Sequence, residues 1–318
     1  MDTDRLPRRA GPFGPFGPFG PSGVIALVVC VVLLASGCSS SSSASTNAGK
    51  VRVVAATDVW GDIAGQIGGN RVSVTSLITS PSADPHSYEA NVRNQVAMSN
   101  ADVIIENGGG YDDFMETMRR SAGTSATVVN AVALSGRQSA GSAVNEHVWY
   151  DFPTVEAVAS RLADELAGAD PQHAATFRAN AQTFTASIGT LIGRESSIKR
   201  QRGGHGIAIT EPVPLYLLQA CGLVNRTPDA FSHAVEEEND VAPRVLLQTL
   251  ALFNQKQVSA LVYNAQTTGA ATERVIAAAK ANNIPVVPVT ETLPDGQSYL
   301  SWMSANLDAL SSALSATS

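Results

Sequence analysis

Two histidines and two glutamates stand where a chain of alternating strands and helices can bring reactive groups together. His86 lies in Ser80-Pro81-Ser82-Ala83-Asp84-Pro85-His86-Ser87-Tyr88-Glu89, just past the apolar segment VSVTSLI at 72–78. His147 lies in Glu146-His147-Val148-Trp149-Tyr150-Asp151. Glu211 directly follows GIAIT at 206–210, and Glu291 directly follows PVVPVT at 285–290. In open α/β sheets, ligands bind beyond the carboxyl ends of the strands, where these residues are expected. Two imidazoles with two carboxylates suit a borderline or hard first-row divalent cation. Each residue also has a plainer reading. A histidine near a proline is commonly a surface residue, and Glu211 and Glu291 would suit a helix N-terminus. Only their shared placement at strand ends favours the set.

The other histidines offer less. His173 is expected to be solvated or packed on a loop, and His205 precedes a strand, at the wrong end of a sheet. His233 is expected in a loop before the run Glu236-Glu237-Glu238, a pairing that could hold a metal weakly, but the run reads first as a solvated charged face.

Positioning these residues falls to a repeated alternation of apolar runs and helical stretches. In the first half, VRVVAA (51–56), 72–78 and DVIIE (102–106) read as strands, with a helix around Val59–Ile67. Gly108-Gly109-Gly110 closes the third strand, and 121–145, rich in Ser, Gly and Ala, reads as a loop region. In the second half, 206–210, VSALVYN (258–264) and 285–290 read as strands. Helices are expected at 214–222, 270–281 and 297–314. Pro285 and Pro288 argue against a central position for the last strand. Alternation of this kind predicts βαβ units and mostly parallel sheets. Between the halves, Asp170 as N-cap and Pro171 at the first helical position predict a helix running to about Arg200. Ala174, Phe177, Ala181, Phe184, Ile188 and Leu191 mark its apolar stripe. The expected organisation is a removable segment 1–37, a tether 38–49, an α/β lobe 50–169, a linking helix 170–202 and a second α/β lobe 203–318.

Composition narrows the partners. The 318 residues carry 21 Lys plus Arg against 28 Asp plus Glu, a net charge of −7, which lacks the basic footprint of a general nucleic-acid binder. A 44% hydrophobic content supports a real core. Met1–Arg9 carries Arg5, Arg8 and Arg9, and after the GPFGPFGPFGP run comes VIALVVCVVLLA at 24–35. That apolar run is short for a membrane span, which needs about 20 residues, and fits a signal-peptide core. Leu34-Ala35-Ser36-Gly37-Cys38 resembles a bacterial lipobox, with Cys38 becoming the lipidated first residue; ordinary signal cleavage is the alternative. Ser39–Ala48 has the composition of a flexible tether. Cys221, in LLQACGL, reads as a buried thiol.

As a whole the chain resembles the metal-binding lipoproteins of zinc, manganese and iron ABC importers. The resemblance is carried by Asp84-Pro85-His86-Ser87-Tyr88-Glu89, Ala101–Gly108, Glu146-His147-Val148-Trp149-Tyr150-Asp151, Thr210-Glu211-Pro212, Tyr216, Gly222-Leu223, Val289-Thr290-Glu291-Thr292-Leu293 and Tyr299. It implies two α/β lobes with mostly parallel sheets, joined by one long rigid helix, with a metal site in the cleft. By the same resemblance the ligands are His86, His147, Glu211 and Glu291. Glu291 departs from the usual Asp, and the His-rich loop of some zinc-specific members is missing. The implied cargo is one Zn²⁺ or Mn²⁺, with Fe²⁺ behind them. The implied partners are a permease, its cytoplasmic ATPase and the membrane through Cys38, with the protein exported, monomeric and not an enzyme. An anchored metallohydrolase and an adhesin with an incidental metal are the rival readings. Against the first, no HExxH occurs and no general base is left once both glutamates are ligands.

Overall fold

A computed structural model describes residues 49–80, 88–137, 144–267 and 269–316. Cys38 and His86 lie outside the described residues.

The first lobe opens with β1 (Val51–Thr57), buried along nearly its whole length, as a strand covered on both faces must be. There follow α1 (Asp58–Gly68), β2 (Val72–Ile78), α2 (Val92–Ser99), β3 (Val103–Glu106), α3 (Phe114–Ala122), β4 (Thr127–Asn130), α4 (Ala131–Ser135) and α5 (Phe152–Ala169). Then α6 (Ala174–Arg202) leads to the second lobe. That lobe comprises β5 (Gly206–Ile209), α7 (Leu215–Ala220), β6 (Val224–Asn225), α8 (Asp229–Glu236), α9 (Pro243–Asn254), β7 (Leu261–Asn264), α10 (Ala270–Ala281), β8 (Val286–Val289) and α11 (Tyr299–Ser315).

The two sheets have the same topology, β2-β1-β3-β4 and β6-β5-β7-β8, and every pairing is parallel. In each, the chain steps from its first strand to one side and then crosses to the other. This makes a switch point between β1 and β3 and another between β5 and β7, where a crevice opens at the carboxyl ends. The α/β architecture expected from the sequence is therefore present twice, without any repeat in the sequence itself. β8 is an edge strand and its exposed Pro288 needs no ladder partner on that side.

Besides α2, α3, β6, α8 and α9, to which the sequence reading assigned no helix or strand, three features differ from it. The long helix starts at Ala174, not at Asp170: Pro171–His173 forms a separate 3₁₀ turn. The Asp170 carboxylate is drawn away from capping by the His173 ring at 2.8 Å and Arg71 at 3.1 Å. Second, α5 is an 18-residue helix that the sequence reading did not separate out, burying Phe152, Val155, Val158, Leu162 and Leu166 against α6. Third, the region read as a loop holds β4 and α4, and the Asn130 side chain caps α4 by accepting from Ala133 N.

At about 1.5 Å per residue, the 29 residues of α6 span about 43 Å. Its buried positions are Phe177, Ala181, Phe184, Ile188, Leu191, Glu195 and Ile198, a strict alternation of fours and threes that lays one stripe on the core. The main core runs through both lobes, from Val53, Trp60 and Tyr150 through Phe184 to Leu217, Trp302 and Leu307. The Tyr299 hydroxyl donates to Trp149 O at 2.6 Å, and the Tyr150 hydroxyl donates to Thr290 O at 2.8 Å, fastening one lobe to the other.

Candidate metal centre

His147 is the last residue before a 3₁₀ turn (Val148–Tyr150) that leads into α5, and it is 1% exposed. Asn145 fixes it: one oxygen, Oδ1, accepts from the His147 backbone N at 3.1 Å and faces ring Nδ1 at 2.7 Å. Because a carboxamide oxygen can only accept, Nδ1 carries the proton and Nε2 is left with a free lone pair. This is the tautomer that ligates a metal through Nε2, with the second nitrogen oriented by a partner. Tyr111 and Trp149 pack edge-on around the ring at 6.0 and 5.1 Å between centroids. Asn145 is itself held by the second lobe, donating to Pro212 O and accepting on its own carbonyl from the Tyr216 hydroxyl.

Glu211 follows β5 and Glu291 follows β8, and the two carboxylates meet on one side chain. Asn264, the last residue of β7, donates its amide to Glu211 Oε2 at 2.6 Å and to Glu291 Oε1 at 2.7 Å. Glu291 Oε2 accepts from the Tyr111 hydroxyl of the first lobe at 3.2 Å and lies 3.7 Å from His147 Nε2. The Glu291 backbone N–H is held by Gln266 Oε1. Glu211 is 3% exposed, and its second oxygen, Oε1, is buried with no hydrogen-bond partner.

The electrostatics follow from this packing. Burial pushes the Glu211 carboxyl up to about 7, and the neighbouring Glu291 charge adds to the rise against the opposing Asn264 bond. Burial also acts to raise Glu291, but His147, Tyr111 and Asn264 outweigh it and hold that carboxyl below its usual value. For His147, burial acts to lower the pKa, yet Glu291, Glu146 and Glu236 turn the net shift upward. The result is a desolvated nest of acceptors in which one carboxylate oxygen is orphaned, a costly arrangement unless a cation fills it.

Of the four residues singled out from the sequence, His147, Glu211 and Glu291 share this hollow, and His86 lies outside the described residues. Sequence reasoning missed Asn264 and Tyr111, and read Glu236 first as part of a solvated charged face. The strand-end rule reaches the first two: Asn264 ends β7 and Tyr111 closes the glycine turn after β3. At that turn Gly108 has φ +76°, and any side chain there would strike Asn130. Glu236 ends α8, and its Oε1 is 3.8 Å from His147 Nδ1. The remaining histidines are engaged locally: His173 with Asp170, His205 with Ser259, and His233, which lies within α8 and not in a loop, with Asp229 O one turn back.

Two parallel-sheet lobes whose facing strand ends carry these side chains have known counterparts. The structure superposes on the periplasmic zinc binding protein TroA from Treponema pallidum with a TM-score of 0.69 at 19% identity, covering 84% of this chain and 99% of that one. The chain is 32% identical over 140 residues to the manganese-binding lipoprotein MntA of Bacillus subtilis, spanning 42% of this chain and 45% of that protein. It is 24% identical over 290 residues to the manganese ABC transporter substrate-binding lipoprotein scaA of Streptococcus gordonii, 85% of this chain and 90% of that protein. Residues 53–313 match the family model of the periplasmic component A of the zinc-uptake complex, so the match takes in both lobes, the long helix and every strand end of the hollow, and the chain belongs to that family.

Proposed function

We propose that this protein captures one divalent transition-metal cation, Zn²⁺ or Mn²⁺, outside the cytoplasmic membrane and delivers it to an ABC-importer permease driven by its cytoplasmic ATPase. Membership of the zinc-uptake component family makes it a solute-binding component, not an enzyme. In this reading His86, His147, Glu211 and Glu291 are the ligands. Cys38 carries a lipid that holds a monomer to the outer face of the membrane. Among the described residues no helix is long and apolar enough to cross a membrane.

One observation carries the reading: the buried Glu211 Oε1 has no partner while His147 turns a free Nε2 toward Glu291 in the same hollow. Three groups drawn from two lobes are desolvated and oriented, at a cost that a bound cation offsets. Two imidazoles with two carboxylates accept either metal. Zn²⁺ has the higher intrinsic affinity at such donors, whereas bidentate carboxylates favour Mn²⁺.

The test is a titration of the purified soluble segment Ser39–Ser318, stripped of metal and then offered Zn²⁺ and Mn²⁺, beside His147→Ala and Glu211→Ala. One equivalent should bind, and each substitution should weaken it. Absence of stoichiometric binding, or two substitutions without effect, sinks the reading. Metal-dependent hydrolysis of simple esters or peptides would point to the hydrolase instead.

A further inference from the structure

In the second sheet β7 lies between β5 and β8, so Asn264 ends the strand flanked by those that lead to Glu211 and Glu291. It is 1% exposed and held from several sides. Its backbone N–H donates to Thr210 Oγ1 at 3.0 Å, and its side-chain Oδ1 accepts from the Gln266 backbone N–H at 3.1 Å. Because a backbone N–H only donates and an ionised carboxylate only accepts, the amide has one orientation, with its nitrogen toward the glutamates. The short contacts of that nitrogen, at 2.6 and 2.7 Å, are to Glu211 Oε2 and Glu291 Oε1, with Thr267 Oγ1 farther off at 3.1 Å.

The four carboxylate oxygens are thereby divided. One oxygen of each glutamate is committed to Asn264. Among the described residues Glu211 Oε1 is buried without a hydrogen-bond partner, and Glu291 Oε2 is the oxygen that lies 3.7 Å from His147 Nε2. The Tyr111 hydroxyl also donates to Glu291 Oε2, at 3.2 Å, so bonds at both ends fix the plane of that carboxylate. To chelate a cation, a glutamate would have to place the ion on an oxygen that already holds a short, charge-assisted bond. The ion would draw electron density out of that bond and repel the amide hydrogen, a loss that is largest in a desolvated place.

We infer that Asn264 is a specificity-determining residue of this centre: it limits each glutamate to one donor atom and so favours a four-coordinate cation, Zn²⁺ over Mn²⁺. The inference rests on the capture reading above and chooses between its two cargoes. His147 Nε2 with one oxygen each from Glu211 and Glu291 makes three donors, where two oxygens from each glutamate would make five. With the one further ligand of that reading the count reaches four. Four donors satisfy Zn²⁺ and fall short of the oxygen-rich octahedron that suits Mn²⁺.

The experiment compares wild type and Asn264→Ala, both stripped of metal, in competitive titrations with Zn²⁺ and Mn²⁺ and in the visible absorption of their Co²⁺ forms. Thermal melting of the cation-free proteins checks the fold. Four-coordinate Co²⁺ absorbs far more strongly than six-coordinate Co²⁺, because its site lacks a centre of inversion. Wild type should prefer Zn²⁺ and give the intense Co²⁺ bands. In Asn264→Ala the freed carboxylates can chelate, so Zn²⁺ affinity should fall by about tenfold or more relative to Mn²⁺, and the Co²⁺ bands should weaken. Equal losses for the two metals with an unchanged Co²⁺ spectrum overturn the inference. So do weak, six-coordinate bands in wild type, a result that stands even where the alanine variant melts too low to be titrated. Failure of wild type to bind any cation is a different result and removes the capture reading itself.

Discussion

At the scale of single residues, Asn264 governs the centre without being a charged group. One amide holds Glu211 and Glu291 together, so Asn264→Ala should leave both carboxylates repelling each other and free to turn. Loss of such an orienting partner typically costs about 10- to 100-fold in metal affinity, measurable by chelator competition, while the fold survives. Proton linkage belongs here too. Glu211, raised to about 7, is only partly ionised at neutrality in the cation-free protein, and His147 is raised above its ordinary value. A cation needs both groups deprotonated, so affinity should rise with pH through about 7 and flatten above it. Calorimetry in buffers of different ionisation enthalpy should register proton release at pH 6.5 and less of it at pH 8.5. A pH-independent affinity would rule out Glu211 as a ligand. Glu211 and Glu291 were legible in the sequence because an acidic residue directly after an apolar run marks the carboxyl end of a strand. Asn264 was read as the strand itself, since an uncharged amide announces no chemistry, and Glu236 was hidden inside a run of three glutamates.

At the scale of elements, α6 carries a conflict that its apolar pattern conceals. Glu195 occupies a core position of the stripe, 4% exposed and with Oε1 unpartnered, and burial together with the Asp151 charge pushes its carboxyl up to about 8. Since the folded pKa is above the unfolded one, the native state keeps the proton that the unfolded chain releases. Stability is then greatest below about pH 4.5 as far as this group is concerned, and is lost as pH rises toward 8. The loss reaches about 5 kcal/mol at most. Glu195→Gln should remove that slope, seen by denaturant unfolding at pH 5 and pH 8; parallel curves for the two proteins would refute it. Gly189 and Gly193 sit on the exposed face with open space where a Cβ would stand, so alanine at each should add about 0.5–1 kcal/mol of stability. β1, β2, β3, β5, β7 and β8 could be read from the sequence because each is an apolar run, and α1 and α10 because Gly68-Gly69-Asn70 and Asn282-Asn283 mark their ends. The start of α6 misled because Asp170-Pro171 is a good local helix start, while the Asp170 carboxylate is committed to Arg71, 99 residues away in sequence. α5 and β4 were missed for related reasons: the first runs almost without a break into the next helix, and the second is four residues beside a Ser- and Gly-rich stretch.

At the scale of the molecule, one face of each sheet packs into a common core, while the opposite face carries a cluster of its own, around Ile104 in the first lobe and Leu261 in the second. One core passes from β1 and α1 through α6 to α11, and the lobes are also tied by Asp58 and Asp62 of α1, which accept from the backbone of Leu293 and Tyr299. Elements sharing a core should unfold together, so calorimetry of the cation-free protein should give one transition. The hollow draws His147 from one lobe and Glu211 and Glu291 from the other, so a cation bound there stabilises the arrangement of both. At a hundredfold excess over its dissociation constant the gain is about 2.7 kcal/mol, which for a chain of this size raises the midpoint by roughly 5 °C. The shift should move the whole transition and be abolished in His147→Ala. Two resolved transitions, or a shift confined to one of them, would mean that the lobes unfold independently and that the cation is held by one lobe alone.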